Sequence, residues 1–144
     1  MFSCSGAKSS ENSENISESQ GQDNLSLQDN STLQPDQVNN EFKNVEAEDV
    51  FNMLKDKNKY FLLDVRTQEE YEEGFIENSI LIPVLELEER LLEIPKDKPV
   101  IVYCRSGNRS AKAADILVKN NFNPVYNMLG GITEWIERSY PVSK

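Results

Sequence analysis

The 144-residue chain has no histidine. That absence removes the imidazole base on which Cys–His and Ser–His–Asp hydrolases depend, together with any histidine-ligated metal site. Cysteine is scarce too. Cys4 and Cys104 are the only two, too few to make a metal cluster on their own. No apolar run approaches the ~20 residues that a membrane-spanning helix needs. Positive charge is in deficit, with 15 Lys and Arg against 25 Asp and Glu and a net charge of −10. Phosphate binding needs clustered Lys and Arg, so no nucleic-acid partner is expected. No metal and no cofactor is implied, and any chemistry must run on a thiolate that works without an imidazole.

The chain changes character near residue 40. In residues 1–40, Ser, Asn and Gln fill 20 positions and only 9 are apolar. Such a segment cannot bury enough apolar surface to offset its ordering entropy, and it reads as a disordered polar tether. It carries Lys8 against six acidic residues, which favours an extended chain. Its first residues, Met1-Phe2-Ser3-Cys4-Ser5-Gly6, resemble the start of a mature bacterial lipoprotein, although Met1 stands where Leu is usual and no basic or hydrophobic signal region is present. On this expectation a lipid on Cys4 tethers the protein at the bacterial cell envelope or periplasm. The alternative is an incidental tail cysteine on a cytoplasmic protein.

Residues 41–144 form one predicted domain, with 45 of 104 residues apolar. Phe42–Val45 reads as a short strand and Ala47–Lys55 as a helix with Val50, Phe51 and Leu54 on one face. Tyr60–Val65 is a near-continuous apolar run, as a strand covered on both faces requires, broken by Asp64 at its end. Gln68–Glu73 is a short helix stopped by Gly74. Asp64 reads either as a site residue at the end of its strand or as the cap of that helix, and the two roles are compatible. Arg66 is expected to pair with a carboxylate such as Glu70. Ser79–Ile82 is a strand ended by Pro83, and Leu85–Leu92 is amphipathic with an acidic face. Val100–Tyr103 and Val125–Leu129 are strands, and helices follow from Ser110 to about Asn120 and from Gly130-Gly131 to Arg138. Trp135 reads as core or rim packing. Strands alternate with helices throughout, the signature of a parallel α/β sheet.

The stretch Val100–Ala111, VIVYCRSGNRSA, carries the chemistry. A β-branched and aromatic run stops at Cys104. Arg105, Ser106, Gly107, Asn108 and Arg109 follow with no apolar residue among them, and a helix begins at about Ser110. Backbone N–H groups at a helix start lack intrahelical partners, and the helix dipole adds partial positive charge. Arg105 and Arg109 add more, and Gly107 lets the loop curl inward. A thiol in such a cradle is expected to be partly thiolate near neutral pH. The same cradle suits a small oxyanion.

Three blocks together resemble the single-domain rhodaneses, sulfurtransferases of the rhodanese homology family. They are Leu62-Leu63-Asp64-Val65-Arg66 with Glu70-Tyr71 and Gly74, then Cys104 to Ser110, then Leu129-Gly130-Gly131-Ile132-Thr133-Glu134-Trp135. The resemblance spans about Phe42 to Val142. It implies a five-stranded parallel sheet flanked by helices, with Cys104 as the catalytic cysteine that holds a sulfane sulfur as a persulfide. The donor would be thiosulfate or a persulfide, and the acceptor cyanide or a thiol. Arg105, Ser106, Gly107, Asn108, Arg109 and Ser110 would bind the substrate, with Arg105 attracting the donor's sulfonate and Arg109 bracing the loop or contacting the anion. Asp64 and Arg66 would support them. The chain departs from the family where Gly74-Phe75-Ile76-Glu77-Asn78-Ser79 replaces the frequent Gly-His-Ile-Pro-Gly-Ala.

Two other functions fit parts of this pattern. One is a non-catalytic rhodanese-like binding module. The other is a phosphatase or arsenate reductase of the Cdc25 type, whose loop is one residue longer than the four residues between Cys104 and Arg109. The chain is expected to be a monomer.

Overall fold

The structure is a computed structural model that describes residues 41–144. The expectations for the tether at 1–40, the lipid on Cys4 included, lie outside the described residues. Five strands form one sheet: β1 (Lys43–Val45), β2 (Phe61–Asp64), β3 (Ile80–Leu81), β4 (Val100–Tyr103) and β5 (Val125–Met128). Their order is β1-β5-β4-β2-β3, and every pairing is parallel. The helices are α1 (Ala47–Met53), α2 (Gln68–Glu73), α3 (Asn108–Lys119) and α4 (Gly131–Glu137).

Strand β4 lies at the centre and all four of its residues are buried. Its alternation divides the core. Val100 and Val102 face α3, where Ala113, Ala114, Leu117 and Val118 pack beside Leu63 and Val125. Ile101 and Tyr103 face α1 and α4, through Val50, Ile132 and Trp135. A strand covered on both sides must be apolar throughout, which is why VIVY is legible as central. Trp135 is core, and its indole N–H donates to the Pro141 carbonyl.

Three local expectations need correction. The Leu85–Leu92 stretch, expected to be amphipathic, does not bury one continuous apolar face. It forms two 3-10 segments, Val84–Glu89 and Leu91–Glu93, separated by Arg90 at φ −121°. Of its leucines only Leu87 is buried, whereas Leu85 and Leu92 stand in solvent. The helix after the cysteine loop starts at Asn108, two residues before Ser110, because Gly107 turns the chain at φ +107°. The cap of α2 is Thr67, whose hydroxyl accepts from the Glu70 N–H; it is not Asp64.

Near the C-terminus, Phe75 and Ser143 exchange both backbone hydrogen bonds, at 2.9 and 2.7 Å. This bridge pins the last residues beside the turn that follows α2.

Candidate active site

The loops after β2, β4 and β5 leave from one end of the sheet, the end at which parallel α/β sheets build their sites. Asp64 and Tyr103 are register partners, as are Val102 and Asn127. Cys104 therefore leaves the middle strand between two flanking loops. It is a free cysteine, 1% exposed.

Residues 104–110 wrap their donors around the sulfur. The Gly107 N–H points at Cys104 Sγ from 3.0 Å. Burial pushes the Cys104 thiol up. Once the sulfur is ionised, hydrogen bonds from the Ser110 hydroxyl and from the N–H groups of Ser110, Gly107 and Ser106 outweigh that, and the thiol lies below its ordinary value. Of the six residues from Arg105 to Ser110 named from the sequence, the donors to the sulfur are Ser106, Gly107 and Ser110. Asn108 opens α3 and its side chain is exposed.

The loop is held from below by α4. Ile132 N–H donates to the Cys104 carbonyl at 2.9 Å and Thr133 N–H to the Arg105 carbonyl at 3.1 Å. Gly131 allows that approach. A Cβ there would lie 2.3 Å from the Arg105 carbonyl oxygen. The Gly130-Gly131 pair thus supports the cysteine loop in addition to opening a helix.

The arginines divide their work. Arg109 is committed to Glu70, with Nη1 at 2.8 Å from Oε2 and Nη2 at 3.0 Å from Oε1. It braces the loop against α2. Arg105 is exposed and makes no ion pair among the described residues. Its side chain lines a cleft of about 480 Å³ with Arg66, Ile132, Ile136, Val142 and Lys144.

Arg66 does not pair with the Glu70 carboxylate. Its guanidinium binds Asp64, with Nη2 to Oδ2 at 2.6 Å, and both side chains are buried. It also donates to the carbonyls of Glu70 and Gly74, at 3.2 and 2.8 Å. Asp64 accepts the Arg66 backbone N–H as well. The pair therefore fixes α2, the helix that presents Glu70 to Arg109. Asp64 and Arg66 support the site through this framework and make no hydrogen bond to the sulfur.

The segment that departs from the family pattern is also ordered by the central strand. Tyr103 accepts the Ile76 N–H and donates to Ser79 Oγ, while Phe75 stacks on Tyr71 at 4.3 Å. Burial holds the Tyr103 phenol far above its ordinary value, so it serves as a neutral hydrogen-bonding group.

Two residues near the loop escaped the sequence reading. Glu70 was read as a partner for Arg66 because of its spacing. Asn127, 1% exposed, lies against Ser110, and nothing in β5 distinguishes it from an ordinary strand residue.

Comparison with known proteins agrees with this architecture. The rhodanese-like domain model matches residues 46–138. A sulfurtransferase of Allochromatium vinosum is 35% identical over 98 residues, covering 68% of this chain and 92% of its own length. The thiosulfate sulfurtransferase GlpE of Coxiella burnetii is 34% identical over 94 residues, covering 65% of this chain and 87% of its own. A crystal structure of a rhodanese-related protein from Thermoplasma volcanium superposes with a TM-score of 0.65 at 40% identity, over 70% of this chain and 97% of that one.

Proposed function

The chain belongs to the rhodanese-like domain family, and on that premise we propose that it is a sulfurtransferase carrying a sulfane sulfur on Cys104. The observation that supports this reading most directly is the buried thiol ringed by the N–H groups of Ser106, Gly107 and Ser110. Such a ring stabilises an anion that stays on sulfur through the whole cycle.

The chemistry balances without a general base. The Cys104 thiolate attacks the outer sulfur of thiosulfate. A new S–S bond forms, the donor's S–S bond breaks, and sulfite leaves with the electron pair. A thiophile then attacks the outer sulfur of the persulfide. With cyanide the product is thiocyanate; with a thiolate it is a new persulfide. In either case the Cys104 thiolate is restored. Arg105, exposed beside the loop, draws in the anionic donor. The four-residue spacing from Cys104 to Arg109 favours this reading over phosphoryl transfer, since a shorter cradle suits a sulfur atom better than a tetrahedral phosphate.

Intact mass spectrometry after incubation with thiosulfate tests the proposal. The expected result is a gain of one sulfur atom, absent in Cys104→Ser and discharged by cyanide with release of thiocyanate. No gain with thiosulfate or with any organic persulfide would identify a binding module instead. Hydrolysis of an aryl phosphate without sulfur uptake would identify a phosphatase.

A further inference from the structure

An asparagine is out of place on the α3-facing side of the sheet. Asn127 sits on β5 between the core residues Val125 and Met128, in register with Val102 on one side and Asn44 on the other. A buried amide is costly unless its hydrogen bonds are satisfied, and an aliphatic side chain carries no such cost. Both ends of this amide are used. Its Oδ1 accepts the Ser110 hydroxyl at 2.5 Å, and its Nδ2 donates to Asn44 Oδ1 at 2.9 Å. Asn44 is exposed on the edge strand, whereas Ser110 is fully buried and within hydrogen-bonding reach of Cys104. A chain of three side chains therefore runs from solvent to the first turn of α3.

The chain has two self-consistent senses. A serine hydroxyl has one hydrogen and an amide is a donor at one end and an acceptor at the other. In the sense the structure records, Ser110 gives its hydrogen to Asn127 Oδ1, which leaves only lone pairs to meet Cys104. That arrangement matches a neutral thiol, whose S–H donates to Ser110 Oγ. If both amides turn over, Asn44 donates to Asn127 Oδ1, Asn127 Nδ2 donates to Ser110 Oγ, and the Ser110 hydrogen points at sulfur. This second sense matches a thiolate or a persulfide anion, the thiol proton having gone to solvent. No group loses its partner in either sense.

We propose that Asn127 is a positioning residue that acts through Ser110, and that the Asn44–Asn127–Ser110 chain reverses its polarity with the charge on Cys104. The inference rests on the sulfur-carrying role of Cys104 for its purpose. Its physical content is the ionisation of the thiol. The charged groups around the sulfur are Arg109 on α3 with Glu70 of α2 behind it, Arg105 in the loop, and the Asp64–Arg66 pair at the end of β2. Asn127 adds a dipole that can follow the sulfur's charge, which these fixed charges cannot do.

The test measures the pH dependence of Cys104 alkylation by iodoacetamide in the full chain, a readout that needs no sulfur transfer. Asn127→Leu, similar in volume, is expected to raise the midpoint by about half a unit to one unit. In a Ser110→Ala background the same substitution is expected to move it little, because the route to sulfur is already cut. Asn44→Asp, an exposed change compatible with folding, locks Asn127 in the sense observed. It is expected to raise the midpoint more in the parent than in Ser110→Ala, the excess separating the chain from the carboxylate's own charge. Equal shifts in both backgrounds, no shift, or a lowered midpoint would overturn the proposal. Persistence of normal sulfur loading with these outcomes would show that the sulfurtransferase reading stands without it.

Discussion

Arg109 and Glu70 lie 39 residues apart in sequence and meet in a two-pronged ion pair, at 2.8 and 3.0 Å. The pair joins the first turn of α3 to α2. It also decides which arginine of the loop is left without a carboxylate. With Arg109 neutralised by a carboxylate, the available cation beside the loop is Arg105.

The pair should be visible in the acid stability of the protein. Hydrogen bonding to Arg109 holds the Glu70 carboxyl down to about 2. The unfolded chain releases that proton near ~4.3. A depressed folded-state value means the stabilisation is complete above the unfolded value and is lost as pH falls toward 2. Glu70→Gln should therefore melt below the parent at pH 7, by about 4 °C for a pair worth about 1 kcal/mol. The two melting curves should converge near pH 2. A constant gap between pH 7 and pH 2 would remove the ion pair as the cause.

Gly131→Ala should damage the cysteine loop from behind. The added methyl would meet the carbonyl oxygens of Arg105 and Cys104, at 2.3 and 2.5 Å, and neither backbone can yield without moving the cradle. The φ of +57° adds strain. A loss of about 1–3 kcal/mol is expected in urea unfolding. The folded fraction should also alkylate at higher pH than the parent, because the donors to sulfur are displaced.

Asp64→Ala should be costly although Asp64 makes no hydrogen bond to the sulfur. It strands the Arg66 guanidinium in the interior, and breaking a buried pair from one side costs about 3–5 kcal/mol. Replacing both residues, by Asp64→Leu with Arg66→Met, should cost less than the two single losses added together. Urea denaturation of the four proteins provides the cycle. Strict additivity would mean that the pair is not coupled.

Arg105→Ala should separate donors by charge. Loss of a hydrogen bond to an anion predicts a fall of about tenfold or more in thiosulfate use. Use of a neutral organic persulfide should change far less. Equal falls for both donors would assign Arg105 to the loop's architecture instead of to donor binding.

The sheet and the position of the cysteine loop were legible because they depend on local pattern. VIVY can only be a covered strand, and the run from Cys104 to Arg109 can only be a polar turn before a helix. Partner choice was less legible, since it is settled by distance in space. Glu70 stands four residues from Arg66, the helical spacing for a pair, yet Arg66 precedes α2 and turns back to Asp64. Arg109 then takes the Glu70 carboxylate from the far side of the loop. Leu85–Leu92 misled for a related reason: Leu87 and Leu91 meet the core, but Leu85 and Leu92 find nothing to pack against. Asn127 left no trace because a polar residue in a strand usually marks an outward face, and here that face is covered by α3.

The bridge between Phe75 and Ser143 has a practical consequence for anyone handling this protein. Val142 and Lys144 form part of the wall of the cleft that Arg105 lines. A purification tag or fluorescent fusion joined after Lys144 would begin at that wall and crowd the Arg105 side chain.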